Sequence, residues 1–123
     1  MPLPESVTAQ SDVLEQVTIA IVDLYREQFG TGPSAAKAYA HDDVLVLVLR
    51  DGLTTIERTL FDDGQFRTVR EMRSAFHDAS GDRFTEIVEE LTGRKVRAFM
   101  SQAHIDPDLV VEVFLLDRPL PSL

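Results

Sequence analysis

At 123 residues and 44% hydrophobic content, the chain has the length and apolar share of a single ordinary domain. Its 21 acidic against 12 basic side chains leave a net charge of −9, which repels nucleic acid and anionic lipid surfaces. Without cysteine it has no disulfide, thiolate metal site or cysteine nucleophile, and the composition fits the cytoplasm.

Residues 1–10 contain two prolines and little pattern, and read as a flexible arm. They lack a basic region followed by an apolar stretch, so no secretory signal is expected. No run approaches the roughly 20 apolar residues that span a bilayer, so no direct membrane insertion is expected. Ser11 is placed to cap a first helix, with Asp12 and Glu15 near its positive end. Leu14, Val17, Ile21 and Leu24 recur at helical spacing, and Gly30 before Thr31-Gly32-Pro33 is a natural stop.

Residues 34–41 alternate as a strand, with Ala36, Ala38 and Ala40 on one side and Lys37 and Tyr39 on the other. A tight turn at His41-Asp42-Asp43 leads into Val44-Leu45-Val46-Leu47-Val48-Leu49. This run is too short and too sharply bounded for a helix, and its lack of polar alternation predicts cover on both faces. Thr54-Thr55-Ile56-Glu57 has capping-box spacing and opens a short helix that Asp62-Asp63-Gly64 interrupts.

Phe66, Val69, Met72 or Arg73, and Phe76 then recur at helical period, and Phe84, Ile87, Val88 and Leu91 continue it. Gly81, in Ser80-Gly81-Asp82, weakens the pattern by about 1 kcal/mol, so the expectation is one kinked helix or two end to end. Thr92-Gly93 stops it. Residues 95–101 and 109–117 read as third and fourth strands, and Pro119 and Pro121 end the order.

The predicted fold is therefore α+β, in the order α-β-β-α-α-β-β. One four-stranded, mainly antiparallel sheet has helices packed on one face. The domain covers residues 11–117, followed by a flexible tail at 118–123. Residues 29–51 and 91–117 also echo each other: helix end, glycine, strand, acidic turn, strand, aspartate. In both hairpins a cation and an aromatic ring share a side, Lys37 with Tyr39 and Arg97 with Phe99. Cover for that side is expected from a second copy of the chain, giving a homodimer through Tyr39, Leu45, Leu47 and Phe99. The long helix is the rival cover.

Several constellations carry possible chemistry. His41 and Asp43 on one turn, with His104, Asp106 and Asp108 on another, would offer nitrogen and oxygen ligands to a metal if the turns met. Turn formation accounts for the same residues. Arg67, Arg70 and Arg73 recur every third residue and would hold a phosphate or carboxylate, unless they form a solvated helix face. Lys37, Tyr39, Arg97 and Phe99 resemble a base-stacking sheet face, but the net charge argues against a nucleic-acid partner. Ser101 near His104, and Ser74 and Ser80 flanking His77, show no nucleophile elbow, so no enzyme and no cofactor are expected.

One wider pattern joins these pieces. Gly32-Pro33, Tyr39 to Asp43, Leu53-Thr54 with Glu57-Arg58, Arg70 to Arg73, Leu91 to Arg94, and Ser101 through Asp108 into Val111-Glu112-Val113 together resemble the MpsC-like family. These are small bacterial proteins named for a proposed sodium-translocating, membrane-potential-generating system. The resemblance covers residues 11–117 and implies a soluble accessory role beside membrane subunits, with a bacterial protein partner. It supplies no catalytic residue. The reading is a non-enzymatic interaction module; the alternative is a small anionic-ligand sensor at the arginine face.

Overall fold

The computed structural model describes residues 5–120, with side-chain surroundings from residue 10 onward. The order is α1 (Glu5–Phe29), β1 (Ala35–His41), β2 (Val44–Arg50), α2 (Thr55–Asp62), α3 (Phe66–Thr92), β3 (Val96–His104) and β4 (Leu109–Leu116). This is the α+β order read from the sequence. The four strands form one antiparallel sheet in the order β1-β2-β4-β3. Thus α1-β1-β2 and α3-β3-β4 are two like units joined through β2 and β4, and the internal echo in the sequence corresponds to them. Each unit's helix ends at a glycine with positive φ, Gly30 at 81° and Gly93 at 69°, a conformation that glycine adopts without a Cβ penalty.

The core follows from strand alternation. Leu45, Leu47 and Leu49 of β2 point to the helices and are 0–2% exposed. Val17, Ile21, Leu24 and Tyr25 of α1, and Phe84 and Val88 of α3, close over them with Phe114 and Leu116 of β4. The valines of the same run, Val44, Val46 and Val48, face the other way and remain half-buried. Both leucines assigned to a dimer face, Leu45 and Leu47, are therefore core residues sealed by the chain's own helices.

Phe99 requires a second correction. A β-bulge at Val96–Ala98 inserts Arg97 as an unpaired residue and reverses the alternation after it. Phe99 consequently turns to the helices, stacked on Phe114 at 4.9 Å between centroids and tilted against Phe84 at 5.8 Å. Lys37 and Tyr39 stay on the opposite face, so these four residues do not form one stacking surface.

The long helix is unbroken from Phe66 to Thr92, with no second helix start at Ser80-Gly81-Asp82. Gly81 sits over the Phe99 ring of the strand below. α1 begins at Glu5, ahead of the expected Ser11 start, and the remainder of the 1–10 arm lies outside the described residues. The expected tail at 118–123 is partly held. Arg94 Nε donates to the Pro119 carbonyl at 2.8 Å, and Leu120 is buried; residues 121–123 lie outside the described residues.

A Cβ at position 81 would lie 3.7 Å from the nearest Phe99 carbons, ordinary van der Waals contact. Gly81→Ala is therefore expected to raise stability by about 0.4–1 kcal/mol in urea unfolding, by restricting the unfolded chain. A loss of stability would mean that α3 needs a closer approach to the sheet.

Candidate functional site

Two features stand out from the ordinary core: a seam of buried polar groups between the helices and the sheet, and the uncovered sheet face. The seam begins at α2. Thr54 accepts from the Glu57 backbone N–H at 3.1 Å, and Glu57 Oε1 accepts from the Thr54 N–H at 2.9 Å, the capping box that the spacing predicts. The same Glu57 carboxylate, fully buried, takes two bonds from Arg73 of α3: Nε to Oε2 at 2.6 Å and Nη2 to Oε1 at 2.7 Å. Arg73 Nη2 also donates to the Gly52 carbonyl at 2.6 Å, and the guanidinium lies 5.0 Å over the Phe29 ring. Removing either partner would leave a buried charge unpaired, at a cost of roughly 3–5 kcal/mol.

Deeper in the seam, Glu112 of β4 is fully buried beside its strand partner Ser101. Tyr25 Oη donates to Glu112 Oε1 at 2.7 Å and lies 3.0 Å from His77 Nε2. Burial pushes the Glu112 carboxyl up to about 7, and the Tyr25 hydrogen bond opposes part of that shift. Burial also drives His77 down to about 4, helped by the Arg73 charge, and drives the Tyr25 hydroxyl upward, reinforced by the Glu112 charge. The 3.9 Å His77–Glu112 approach therefore joins two groups biased towards their neutral forms, not an ion pair.

Ser101 Oγ lies 3.4 Å from His77 Nδ1 and 3.3 Å from Nε2. A hydroxyl equidistant from both ring nitrogens aligns with neither lone pair. Together with the low basicity of His77, this geometry does not make a nucleophile–base pair.

The sequence-predicted residues separate. Arg73 is internal, whereas Arg67 and Arg70 are exposed on the same helix. His41 and Asp43 sit at the β1–β2 turn, while His104, Asp106 and Asp108 sit at the β3–β4 turn. Because β2 and β4 run antiparallel side by side, with Arg50 opposite Leu109 and Val44 opposite Leu115, the two turns lie at opposite ends of the sheet. That separation, roughly 20 Å over a seven-residue strand, rules out a shared metal among these five residues. No group of three or more potential ligands occurs among the described residues. Asp108 instead ties the loop before α2, accepting from the Leu53 N–H at 2.8 Å, and His104 Nδ1 bonds with the Pro107 carbonyl at 2.9 Å.

The Tyr25–Glu112–His77 cluster escaped the sequence reading, although a signal was present. Glu112 stands in phase with Val110 and Phe114 in an otherwise apolar strand, a position where a carboxylate has to be buried. Arg73 carried a similar signal, in helical phase with Val69 and Phe76.

The second feature is the open face. Alternation places Val44, Val46 and Val48 of β2, Leu109, Val111, Val113 and Leu115 of β4, and Met100 of β3 there, with Tyr39 on the β1 edge strand; Lys37, His41, Arg50, Gln102 and His104 share the same outward phase nearer the margins. Tyr39 is 50% exposed and Met100 58%. Not one Asp or Glu occupies an outward strand position on this face, although 21 occur in the chain. Of the four residues assigned to a dimer surface, only Tyr39 lies on it.

Residues 9–118 match the family model described as Na+-translocating membrane potential-generating system (MpsC), and the chain belongs to that family. No curated protein matches, and no solved structure matches. Among the described residues no helix is long and apolar enough to cross a membrane.

The Glu112 pKa has a measurable consequence. A carboxyl raised from 4.5 to about 7 on folding contributes stability below pH 4.5 that is lost as pH rises through 7. Glu112→Gln keeps an acceptor for Tyr25 and cannot ionise. Its stability relative to the parent is expected to improve by about 2–3 kcal/mol between pH 5 and pH 8 in urea unfolding. His77 acts in the opposite sense, losing stability as pH falls from 6.5 towards 4, but is common to both proteins and cancels. A pH-independent difference would contradict the assignment.

Proposed function

We propose that this MpsC-family chain is a non-enzymatic, self-associating accessory module, two copies of which pair through the open sheet face. The observation that carries the reading is a sheet face whose two central strands present only valine and leucine between Val44 and Val48 and between Leu109 and Leu115, flanked by Met100 and Tyr39, with Lys37, His41, Arg50, Gln102 and His104 towards its margins and no carboxylate, on a protein of net charge −9. Contiguous apolar faces of this kind mark association sites. An acidic protein can approach its own copy only where like charge is absent.

The area also fits. Strands about 4.8 Å apart and about 24 Å long present roughly 450 Å² of sheet per copy. Two such faces total roughly 900 Å², near the roughly 1,000 Å² of a specific interface, before side-chain relief is added. An antiparallel sheet built from two like units suits a two-fold pairing. The family description supports a setting beside a membrane potential-generating system; in this reading the chain acts from the cytoplasm and other proteins supply the membrane subunits. The Ser101–His77 geometry supports the non-enzymatic part.

Light scattering at about 50 µM, where a micromolar Kd would saturate, is expected to give twice the 13.8 kDa chain mass. A Val46→Lys, Val113→Lys double variant is expected to be monomeric with unchanged helical circular dichroism. Ile56→Lys, which adds a charge on exposed α2, is expected to remain dimeric. A wild-type mass of 13.8 kDa at that concentration would overturn the reading.

A further inference from the structure

The seam opens to the surface between α3 and β3. A cleft of about 180 Å³ lies there, lined by Arg70, Arg73, Ser74, His77, Ser101 and Gln102. One of these lining residues carries an unfinished hydrogen-bonding group. Arg73 is 2% exposed, and its Nε and Nη2 are bonded to Glu57 and Gly52. Its remaining nitrogen, Nη1, is buried and has no partner among the described residues. Buried donors of a guanidinium are rarely left so, and an orphan donor on a residue that lines a cleft points to an acceptor beside it.

The other lining groups agree with an acceptor. Arg70 is an exposed cation without a carboxylate partner among the described ion pairs, and Ser74 and Ser101 add hydroxyl donors. No carboxylate lines the cleft. Glu57 stands behind it, bonded to Arg73; Glu112 stands behind His77, held towards its neutral form by burial. Asp78 follows His77 along the helix and is exposed. The volume is below the roughly 300–1,000 Å³ of sites for drug-sized ligands, so it suits a single oxyanion group with few further atoms. A planar guanidinium edge beside hydroxyl donors is the chemistry that holds such a group.

We infer that the α3–β3 cleft binds a small oxyanion, a phosphate or carboxylate group, through Arg70, Arg73 Nη1, Ser74 and Ser101. The site differs from a general arginine face. Arg67, exposed on the same helix, does not line the cleft and takes no part, and Arg73 contributes one nitrogen only because its others anchor α2.

The test is a titration of the full chain with inorganic phosphate and, separately, succinate, at constant ionic strength, followed by amide resonances in two-dimensional NMR. Saturable shifts are expected at Ser74, His77 and Ser101, and none at Thr18 of α1. Arg70→Ala is expected to weaken binding about tenfold or more, and Arg67→Ala less than about twofold. Arg70 is exposed, so its variant is expected to fold. Saturation by either probe supports the site, and which of them saturates identifies the oxyanion. Absence of saturation by both at about 20 mM, equal shifts with chloride, or equal losses in the two arginine variants would overturn it.

Discussion

A sheet of aliphatic strands has two faces to remove from water, and the helices of this chain reach one. Everything else in the structure is arranged around that imbalance. α1 and α3 close over Leu45, Leu47, Leu49, Phe114 and Leu116, and none of these is more than 2% exposed. The valines alternating with those leucines receive no such cover from the described residues and stay half-buried. Fully burying a valine or leucine side chain stabilises by roughly 1.5–3 kcal/mol, so a face carrying several of them holds a substantial drive towards association. The same face excludes the acidic residues that dominate the rest of the surface, which removes the main repulsion between copies.

The covered side has a different character. Its helix–sheet interface is not wholly apolar. It contains the Glu57–Arg73 pair, which fastens α2 to α3, and the Tyr25–Glu112–His77 cluster, which lies between α1, α3 and the central strand β4. Buried polar groups of this kind are costly unless bonded. Most of them are bonded, and the exceptions, Arg73 Nη1 and Glu112 Oε2, lie on the two anchored residues at the heart of the seam. The two sides thus differ in kind: one face is apolar along its central strands, and the interior behind the other holds the buried polar groups.

Most of the fold was legible because its signals are local. Gly30 and Gly93 stop helices, Thr54 and Glu57 start one, and the aliphatic run of β2 is too short for anything but a strand. What failed depended on parity and on pairing. Treating the β2 run as one apolar block assigned Leu45 and Leu47 to the same surface as Tyr39, whereas strand geometry sends the leucines inward and the valines outward. The bulge at Arg97, set by how β3 pairs with β4, moved Phe99 across the sheet. The strand order separated His41 and Asp43 from His104, Asp106 and Asp108, which no spacing along the chain reveals. At the candidate cleft, Arg70 and Arg73 were visible as cations, but only the three-dimensional packing distinguishes the anchored one from the free one.

The central claim is that a second copy covers the valine face. The chain has no cysteine, so single nitroxide labels can be placed at will. Pulsed dipolar spectroscopy on Met100→Cys, on the open face, and on Ile19→Cys, on exposed α1, measures the distance between copies from each side. A shorter distance from position 100 than from position 19 is the expected result. A shorter distance from position 19, or no dipolar signal from either, would contradict it.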